Sequence, residues 1–292
     1  MRLKIDTKPR LYTLEFYTKE ENYTSAQSPR SLVHKRGLEF DHFREYQTGD
    51  DARMIDWVAS ARTDKPLVRV HTEDIALNIL VVLDISESMI YGTTEKAKIE
   101  FAIELTLNLI FGMLNFGDKV GLVTFSDGIK DYIPFRSGIE NYGVYMETLT
   151  EESKMGGAKD LSTTIAFIIE QCKDTHLMLF ISDFLGMRES LMQDIHSIAD
   201  AFDFLGLQVL DRSDIELNRS LSIMNVKDPF SQGMKHVNVR GIEKKYRMEV
   251  QNYMAQLENF FKTMEKDMWF FTTEDDIESK VPELLTKRNT GF

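Results

Sequence analysis

From about residue 76 onward, short apolar runs alternate with longer stretches in which apolar residues recur every three or four positions. A short apolar run bounded by turn residues is typical of a buried β-strand, and the three-to-four spacing is typical of an amphipathic helix. Strands are therefore predicted at residues 76–83, 119–125, 128–135, 176–182, 205–211 and 268–273. Helices are predicted at residues 93–114, 137–150, 161–172, 188–203, 243–266 and 275–288.

This alternation predicts the fold class. Helices of this length join parallel neighbouring strands through right-handed crossovers and cover both faces of the sheet. The segment 128–135 differs, because it alternates polar with apolar residues and follows an Asp127–Gly128 turn, as an exposed edge strand does. We therefore predict an α/β protein with a doubly wound, mainly parallel sheet.

The chain is predicted to have two parts. Residues 1–75 contain two strand-like segments, RLYTLEF and PLVRVHTE, around an irregular middle, which indicates a β-rich N-terminal extension. Residues 76–292 then form the α/β domain. Within that domain the stretch SLSIMNVKDPFSQGMKHVNV interrupts the pattern with a proline and a glycine, and it predicts an inserted hairpin near 220–240.

Charge and cysteine content exclude several classes of protein. The formal net charge of −12 counts against a nucleic-acid ligand, because phosphates need a basic surface. Cys172 is the only cysteine, so an internal disulfide and a Cys-rich zinc site are excluded, and a reducing, cytoplasmic location is expected. The longest apolar stretches fall short of the roughly 18 to 20 uninterrupted residues of a membrane span, so no span is expected.

Small oxygen-bearing side chains follow two of the predicted strands. VVLDISESM places Asp84, Ser86 and Ser88 after the first strand, and LFISDF places Asp183 after another. The carboxyl ends of parallel strands form the ligand crevice of an open sheet, so these oxygens are expected to converge. Without Cys or His nearby they suit a hard ion, Mg²⁺ or Mn²⁺. The alternative is structural: Asp84 ends the strand and Ser88 caps the next segment.

Two family resemblances rest on these residues. DISESM, the helix after it and ISDF resemble the metal-ion-dependent adhesion site (MIDAS) of von Willebrand factor A domains. The stretch RGLEFDHFREYQTGDDARMIDWVASARTDKPLVRVHTED (36–74) is similar to the signature that precedes the A-like domain in the bacterial domain of unknown function 58 family. The resemblance covers the chain from about residue 30 to its end. It implies a von Willebrand factor A-like fold and a metal site that also uses a threonine from a mid-chain loop.

That mid-chain loop departs from the family pattern. Where the family typically has G-G-T followed by a leucine, this chain has GGAKDLSTT (156–164). Ala158 or Lys159 stands at the place of the threonine, and Lys159 would repel a cation. Three other side chains are candidates to replace the missing oxygen: Asp160, Ser162 and Thr163.

The family signature also concentrates charged residues. Within thirteen positions lie three acids, one aromatic residue and two bases: Asp50, Asp51, Arg53, Asp56, Trp57 and Arg62. We predict an ion-paired clamp that holds the N-terminal extension onto the A-like domain, with Trp57 as its apolar anchor. A direct role in ligand binding is the alternative.

Two function classes follow from these observations. The resemblance implies a non-catalytic, metal-dependent protein-interaction module, in which an acidic side chain of the partner completes the coordination of the ion. It also implies a MoxR-type AAA+ ATPase as partner, in the assembly or activation of other complexes.

The alternative is a metal-dependent phosphoryl-transfer enzyme of haloacid-dehalogenase-like type. Ser86 counts against it, because that enzyme class needs a second carboxylate there as general acid and base. A nucleotide-binding Rossmann sheet is not favoured, because the loop after the first strand offers only Gly92.

Overall fold

The computed structural model describes residues 3–17, 39–46, 55–63, 65–72, 76–186, 189–217, 223–227 and 234–290. The chain divides into two compact units, of which the larger contains residues 1–18 and 77–292 and the smaller contains residues 19–76. The strands are β1 (Glu39–Glu45), β2 (Leu67–Thr72), β3 (Asn78–Asp84), β4 (Lys119–Phe125), β5 (Ile129–Ser137), β6 (Leu177–Ser182), β7 (Asp203–Leu210), β8 (Ile223–Lys227), β9 (Met234–Asn238) and β10 (Asp267–Thr272). The helices are α1 (Trp57–Thr63), α2 (Glu87–Ile90), α3 (Lys98–Phe116), α4 (Tyr142–Leu149), α5 (Ser162–Gln171), α6 (Glu189–Ala201), α7 (Arg212–Ile215), α8 (Val239–Thr263) and α9 (Ile277–Thr290).

The larger unit is built on a six-stranded sheet with the order β10-β7-β6-β3-β4-β5. Five of its strands are parallel, and β5 pairs antiparallel with β4 at one edge. The predicted class, a doubly wound and mainly parallel α/β fold, is confirmed, and the edge strand lies where the alternating segment predicted it. Strands β8 and β9 form a separate antiparallel pair within the stretch 220–240.

The sheet separates two apolar cores because alternate residues of each central strand point to opposite faces. On β3, Val81 packs in the core that contains α3, α4 and α9, whereas Val82 packs in the core that contains α5, α6 and α8. Both side chains are fully buried. Burial on both faces explains why the central strands are continuous apolar runs rather than alternating ones.

Helix α3 lies in the middle of the first core. By length and composition it could cross a membrane, but 83% of its most apolar window is buried inside the protein. A helix that is apolar on nearly every side is expected in the core of a large α/β domain. Its predicted start at residue 93 is wrong, because the main chain and hydroxyl of Thr93 bind the Asp211 carboxylate instead, at 2.9 and 2.5 Å.

Residues 3–17 run along α3 and belong to the larger unit. Polar side chains one turn apart on α3 accept their main-chain N–H groups: Glu100 from Lys4 at 2.6 Å, Glu104 from Asp6 at 2.8 Å and Asn108 from Arg10 at 2.7 Å. Apolar side chains of the segment enter the first core, namely Leu11, Leu14 and Phe16. The prediction of a strand at RLYTLEF is therefore wrong, and so is the assignment of these residues to an N-terminal extension.

The smaller unit contains the antiparallel pair β1–β2 and helix α1. Asp56 begins α1, because its Oδ1 accepts the N–H groups of Val58 and Ala59 at 2.9 and 3.0 Å. Trp57 is 70% exposed, and its predicted role as an apolar anchor stays a prediction. Arg62 is also exposed. The remaining residues of the predicted clamp, Asp50, Asp51 and Arg53, lie outside the described residues, and the clamp stays a prediction.

Asp118 supplies a pH-dependent stability test at the amino end of the sheet. Its Oδ1 accepts the Leu77 N–H at 3.0 Å, whereas its buried Oδ2 has no hydrogen-bond partner in the part of the chain that the structure describes. Burial raises the pKa of Asp118 to about 7. Because this pKa exceeds the value of about 3.9 expected in the unfolded chain, stability is lost as the pH rises through 7.

We therefore expect Asp118→Asn to raise the midpoint of thermal unfolding by a few degrees at pH 8. At pH 4 the native carboxyl is already protonated, so the substitution should have little effect there. Thermal unfolding followed by circular dichroism at both pH values measures the difference. An equal effect at pH 4 and pH 8 would contradict the explanation by ionisation.

Candidate binding site at the carboxyl edge of the sheet

The predicted oxygen ligands meet at the carboxyl edge of the sheet. Asp84 is the last residue of β3, and Asp183 directly follows β6. These strands are parallel neighbours with Leu83 opposite Ile181, so they deliver both carboxylates to one place. In chain order β3 is the first strand of the sheet and β6 the fourth, as the von Willebrand factor A resemblance implies. Both aspartates are completely buried.

The D-x-S-x-S loop folds back on itself after β3. The Asp84 Oδ1 accepts the Ser86 N–H at 2.9 Å, and the Ser86 and Ser88 hydroxyl oxygens are 3.2 Å apart. All three residues are buried. The loop therefore brings together the side-chain oxygens that were expected to converge.

The loops around this cluster are joined to one another. Main-chain hydrogen bonds link the loops after β3 and β4 to the loop that precedes α5: Glu87 N to Gly157 O at 2.8 Å, Gly156 N to Ile85 O at 2.8 Å, and Asp160 N to Ser126 O at 2.7 Å. Gly156 and Gly157 have φ values of 102° and 91°, which L-residues with side chains rarely adopt. The edge is therefore a single, pre-organised surface of three loops.

The centre of the cluster is occupied by the ammonium of Lys159. Its Nζ lies 2.8 Å from Asp84 Oδ2, 2.5 Å from Asp183 Oδ1 and 3.2 Å from the Ser182 hydroxyl. The Ser182 hydroxyl in turn donates to Asp84 Oδ2 at 2.6 Å. The Lys159 side chain is only 4% exposed. An ammonium has three N–H donors, and these three oxygens account for all of them.

Charge compensation keeps this cluster ionised. Burial alone would lower the pKa of Lys159, but the charges of Asp183 and Asp84 raise that pKa above its ordinary value. Burial alone would raise the pKa of Asp183, but the charges of Lys159 and Lys98 hold it well below its ordinary value. Both groups are therefore charged at neutral pH.

Lys98 is a second buried cation of the site. Its Nζ lies 3.0 Å from Asp183 Oδ2 and 2.9 Å from Asp214 Oδ2. Burial opposes its positive charge, but Asp183 and Asp214 raise the pKa of Lys98. Sequence reasoning missed this residue. One signal was available, because a lysine in the first turn of a helix opposes the helix dipole and so indicates a tertiary partner.

The three candidate replacements for the missing threonine have other positions. The Asp160 Oδ1 accepts from the main chain and the hydroxyl of Ser162, at 3.0 and 2.7 Å, at the start of α5. Ser162 and Thr163 are exposed. None of the three has a hydrogen bond with Asp84 or Asp183 in the structure described.

The arrangement does not fit a divalent ion. Mg²⁺ needs carboxylate oxygens at about 2.0–2.1 Å and room for several waters. Here the oxygens of Asp84 and Asp183 that face each other already share the Lys159 ammonium. Among the described residues, no group of three or more His, Cys, Asp or Glu side chains is placed to hold a metal. The predicted Mg²⁺ or Mn²⁺ site at Asp84, Ser86, Ser88 and Asp183 is therefore corrected: these residues converge, but around an ammonium.

Comparison with known proteins places this chain near proteins of unassigned function. The sequence profile of the family described as "Protein of unknown function DUF58" matches residues 42–258. Uncharacterized proteins of Mycobacterium tuberculosis and Mycobacterium bovis are 29% identical over 188 residues. This match covers 64% of the chain and 59% of each relative, so the chain spans less than two thirds of their length.

Two solved structures align with part of the chain. The structure of an aerotolerance-related membrane protein from Bacteroides fragilis has a TM-score of 0.49 at 15% identity, over 74% of this chain and 100% of that one. A von Willebrand factor type A protein from Catenulispora acidiphila has a TM-score of 0.35 at 13% identity, over 49% of this chain and 35% of that one.

Proposed function

The chain belongs to the DUF58 family, whose function is unknown, and from its site we propose that it is a non-catalytic protein-interaction module. We propose that the partner binds at the carboxyl edge of the six-stranded sheet. The observation that carries this proposal is the set of main-chain hydrogen bonds that joins three loops above a closed ion cluster. A surface that is ordered before binding loses little conformational entropy when a partner docks.

The burial of Asp84 and the contacts of its two oxygens favour a binding function over a catalytic one. Asp84 is completely buried, and its two oxygens accept from Ser86, Ser182 and Lys159. A phosphoryl-transfer nucleophile must reach its substrate and needs a neighbouring acid and base. Ser86 occupies the position of that acid. The phosphoryl-transfer alternative is therefore less well supported.

The closed cluster also decides how recognition works. A metal-dependent module binds an acidic side chain through an open coordination position, whereas the three N–H donors of Lys159 are already used. Recognition in this chain therefore falls to the exposed rim of the loops. Tyr91 lies on that rim directly after α2 and is 41% exposed, and aromatic side chains are frequent anchors of protein interfaces.

We propose a MoxR-type AAA+ ATPase as the partner, which the family resemblance implies, and a cytoplasmic location shared with it. The formal net charge of −12 favours a partner with a basic contact surface and disfavours nucleic acid. In this role the chain would act in the assembly or activation of other protein complexes.

Tyr91→Ser is expected to weaken binding to the MoxR-type ATPase of the same organism about tenfold or more, because it removes a rim aromatic. The matched control is Tyr132→Ser, since Tyr132 is 38% exposed but lies within edge strand β5. Isothermal titration calorimetry with the purified ATPase measures both. Equal losses for the two variants would reject the rim as the contact surface, and no binding by the unmodified chain would reject this partner.

A further inference from the structure

We propose that the Lys159 ammonium is a built-in replacement for a metal ion, so that this site assembles without any divalent cation. We further infer that removing the ammonium opens a divalent-cation site between Asp84 and Asp183. The inference concerns the ion cluster alone and its test uses no partner, so metal binding and partner binding are measured separately.

The first support is the position of the charge. The Nζ of Lys159 lies within 2.8 Å of one oxygen from each aspartate, and these are the two carboxylates expected to be metal ligands. The contact with the Ser182 hydroxyl completes the set of three acceptors. A single positive charge thus joins the two strand ends in the way that a shared cation would.

The second support is the way the backbone fixes this lysine. On one side the carbonyl of Gly157 accepts the Glu87 N–H, and on the other side the Asp160 N–H donates to the Ser126 carbonyl. Lys159 lies between these two anchored points, and its side chain is 4% exposed. The neighbouring Ala158 is exposed. The loop that departs from the family pattern therefore directs its lysine, rather than a threonine, into the cluster.

The third support is the competition that a metal ion would face. A divalent ion between the two aspartates must displace the ammonium, which would leave a buried lysine without its acceptors, an arrangement that is strongly destabilising. The other oxygen of Asp183 already binds the Lys98 ammonium at 3.0 Å. Mg²⁺ also gives up its own waters reluctantly. The ammonium is therefore the favoured occupant.

The test compares Mn²⁺ and Mg²⁺ binding by the unmodified chain and by Lys159→Ser, which removes the charge and supplies a hydroxyl oxygen. Isothermal titration calorimetry measures binding, and thermal unfolding with chelator or with millimolar metal measures the linked stability. The unmodified chain should bind neither ion at this site and should show the same midpoint with metal and with chelator. Lys159→Ser should bind about one Mn²⁺, and saturating Mn²⁺ should raise its midpoint by about 5 °C.

Two controls locate the effect. Lys130→Ser removes an ammonium that lies 2.5 Å from Asp127 at the same edge but is partly exposed, and it should gain no metal binding. The double variant Lys159→Ser, Asp183→Ala should lose the binding gained by Lys159→Ser.

The outcomes decide both parts of the inference. Stoichiometric Mn²⁺ binding by the unmodified chain that Asp84→Ala abolishes would overturn the inference that the ammonium replaces a metal ion. This result does not depend on whether Lys159→Ser folds. A folded Lys159→Ser that binds no Mn²⁺ would overturn the inference that removing the ammonium opens a cation site. If Lys159→Ser folds only when Mn²⁺ is present, the metal has taken over the role of the ammonium, and both parts are supported.

Discussion

Asp183→Ala is expected to lower the free energy of unfolding by about 3 to 5 kcal/mol, because it removes the carboxylate shared by two buried ammonium groups. Lys159 and Lys98 both bind Asp183, at 2.5 and 3.0 Å, and their side chains are at most 4% exposed. After the substitution each ammonium keeps one other carboxylate, Asp214 for Lys98 and Asp84 for Lys159, but both lose the acceptor that they share inside the protein. Urea denaturation followed by circular dichroism measures the loss.

The matched control is Asp127→Ala. Asp127 also lies at the carboxyl edge and binds Lys130 at 2.5 Å, but its side chain is 55% exposed, so the loss should be much smaller than for Asp183→Ala. If Asp127→Ala costs as much as Asp183→Ala, burial is not the origin of the effect.

The pH dependence of the effect of Asp183→Ala follows from the directions of the two pKa shifts. The pKa of Asp183 is depressed by Lys159 and Lys98 against the opposing effect of burial. The stability that Asp183 contributes is therefore complete above about pH 4 and is lost as the pH falls further. The pKa of Lys159 is raised, so its contribution is complete below about pH 10 and is lost as the pH rises further. Between pH 5 and about pH 10 the effect of Asp183→Ala should therefore be constant.

Phe16→Ala is expected to lower the free energy of unfolding by about 3 to 4 kcal/mol, because it leaves a cavity in the first core. Phe16 is completely buried and stacks on Trp269, with ring centroids 6.3 Å apart. It belongs to residues 3–17, which a reading of the sequence assigns to a separate extension. Denaturant unfolding of the larger unit, monitored by Trp269 fluorescence, measures the loss.

Tyr12→Ala is the control for this prediction. Tyr12 lies in the same segment and touches Phe111 with its ring, but it is 67% exposed, so its removal should cost less than about 1 kcal/mol. A negligible loss for Phe16→Ala as well would mean that residues 3–17 do not contribute to the core.

The central sheet was predictable because its strands are short, continuous apolar runs, and such runs are typical of strands buried on both faces of a sheet. Burial on both faces makes β3, β6 and β7 apolar at nearly every position. The convergence of Asp84 and Asp183 was predictable for a related reason, since parallel strands end at the same edge of the sheet. Local pattern and topology together suffice for such features.

The occupant of the site was not predictable from the residue types alone. GGAKDLSTT offers a lysine, an aspartate and three hydroxyls, and only the main-chain bonds of Gly157 and Asp160 decide which side chain turns inward. Those bonds connect loops that are far apart in the sequence. Lys98 was missed for the same reason, because Asp183 and Asp214 come near it only in the folded chain.

The path of residues 3–17 was misjudged because side chains, not another strand, satisfy its main chain. RLYTLEF has the alternation of a strand, and an extended backbone needs hydrogen-bond acceptors. Helix α3 supplies them through Glu100, Glu104 and Asn108, which are spaced four residues apart on one side of the helix. That row of polar residues in an otherwise apolar helix was the sequence signal for a chain segment lying across it.

The attachment of residues 3–17 to α3 has a consequence for biosynthesis. The Arg10 N–H and its acceptor on Asn108 are separated by 98 positions in the chain. At translation speeds of about 5 to 20 residues per second, roughly 5 to 20 s pass between the synthesis of Arg10 and the synthesis of Asn108. During that interval Phe16 and its apolar neighbours have no docking surface, so a ribosome-associated chaperone would meet them before α3 does.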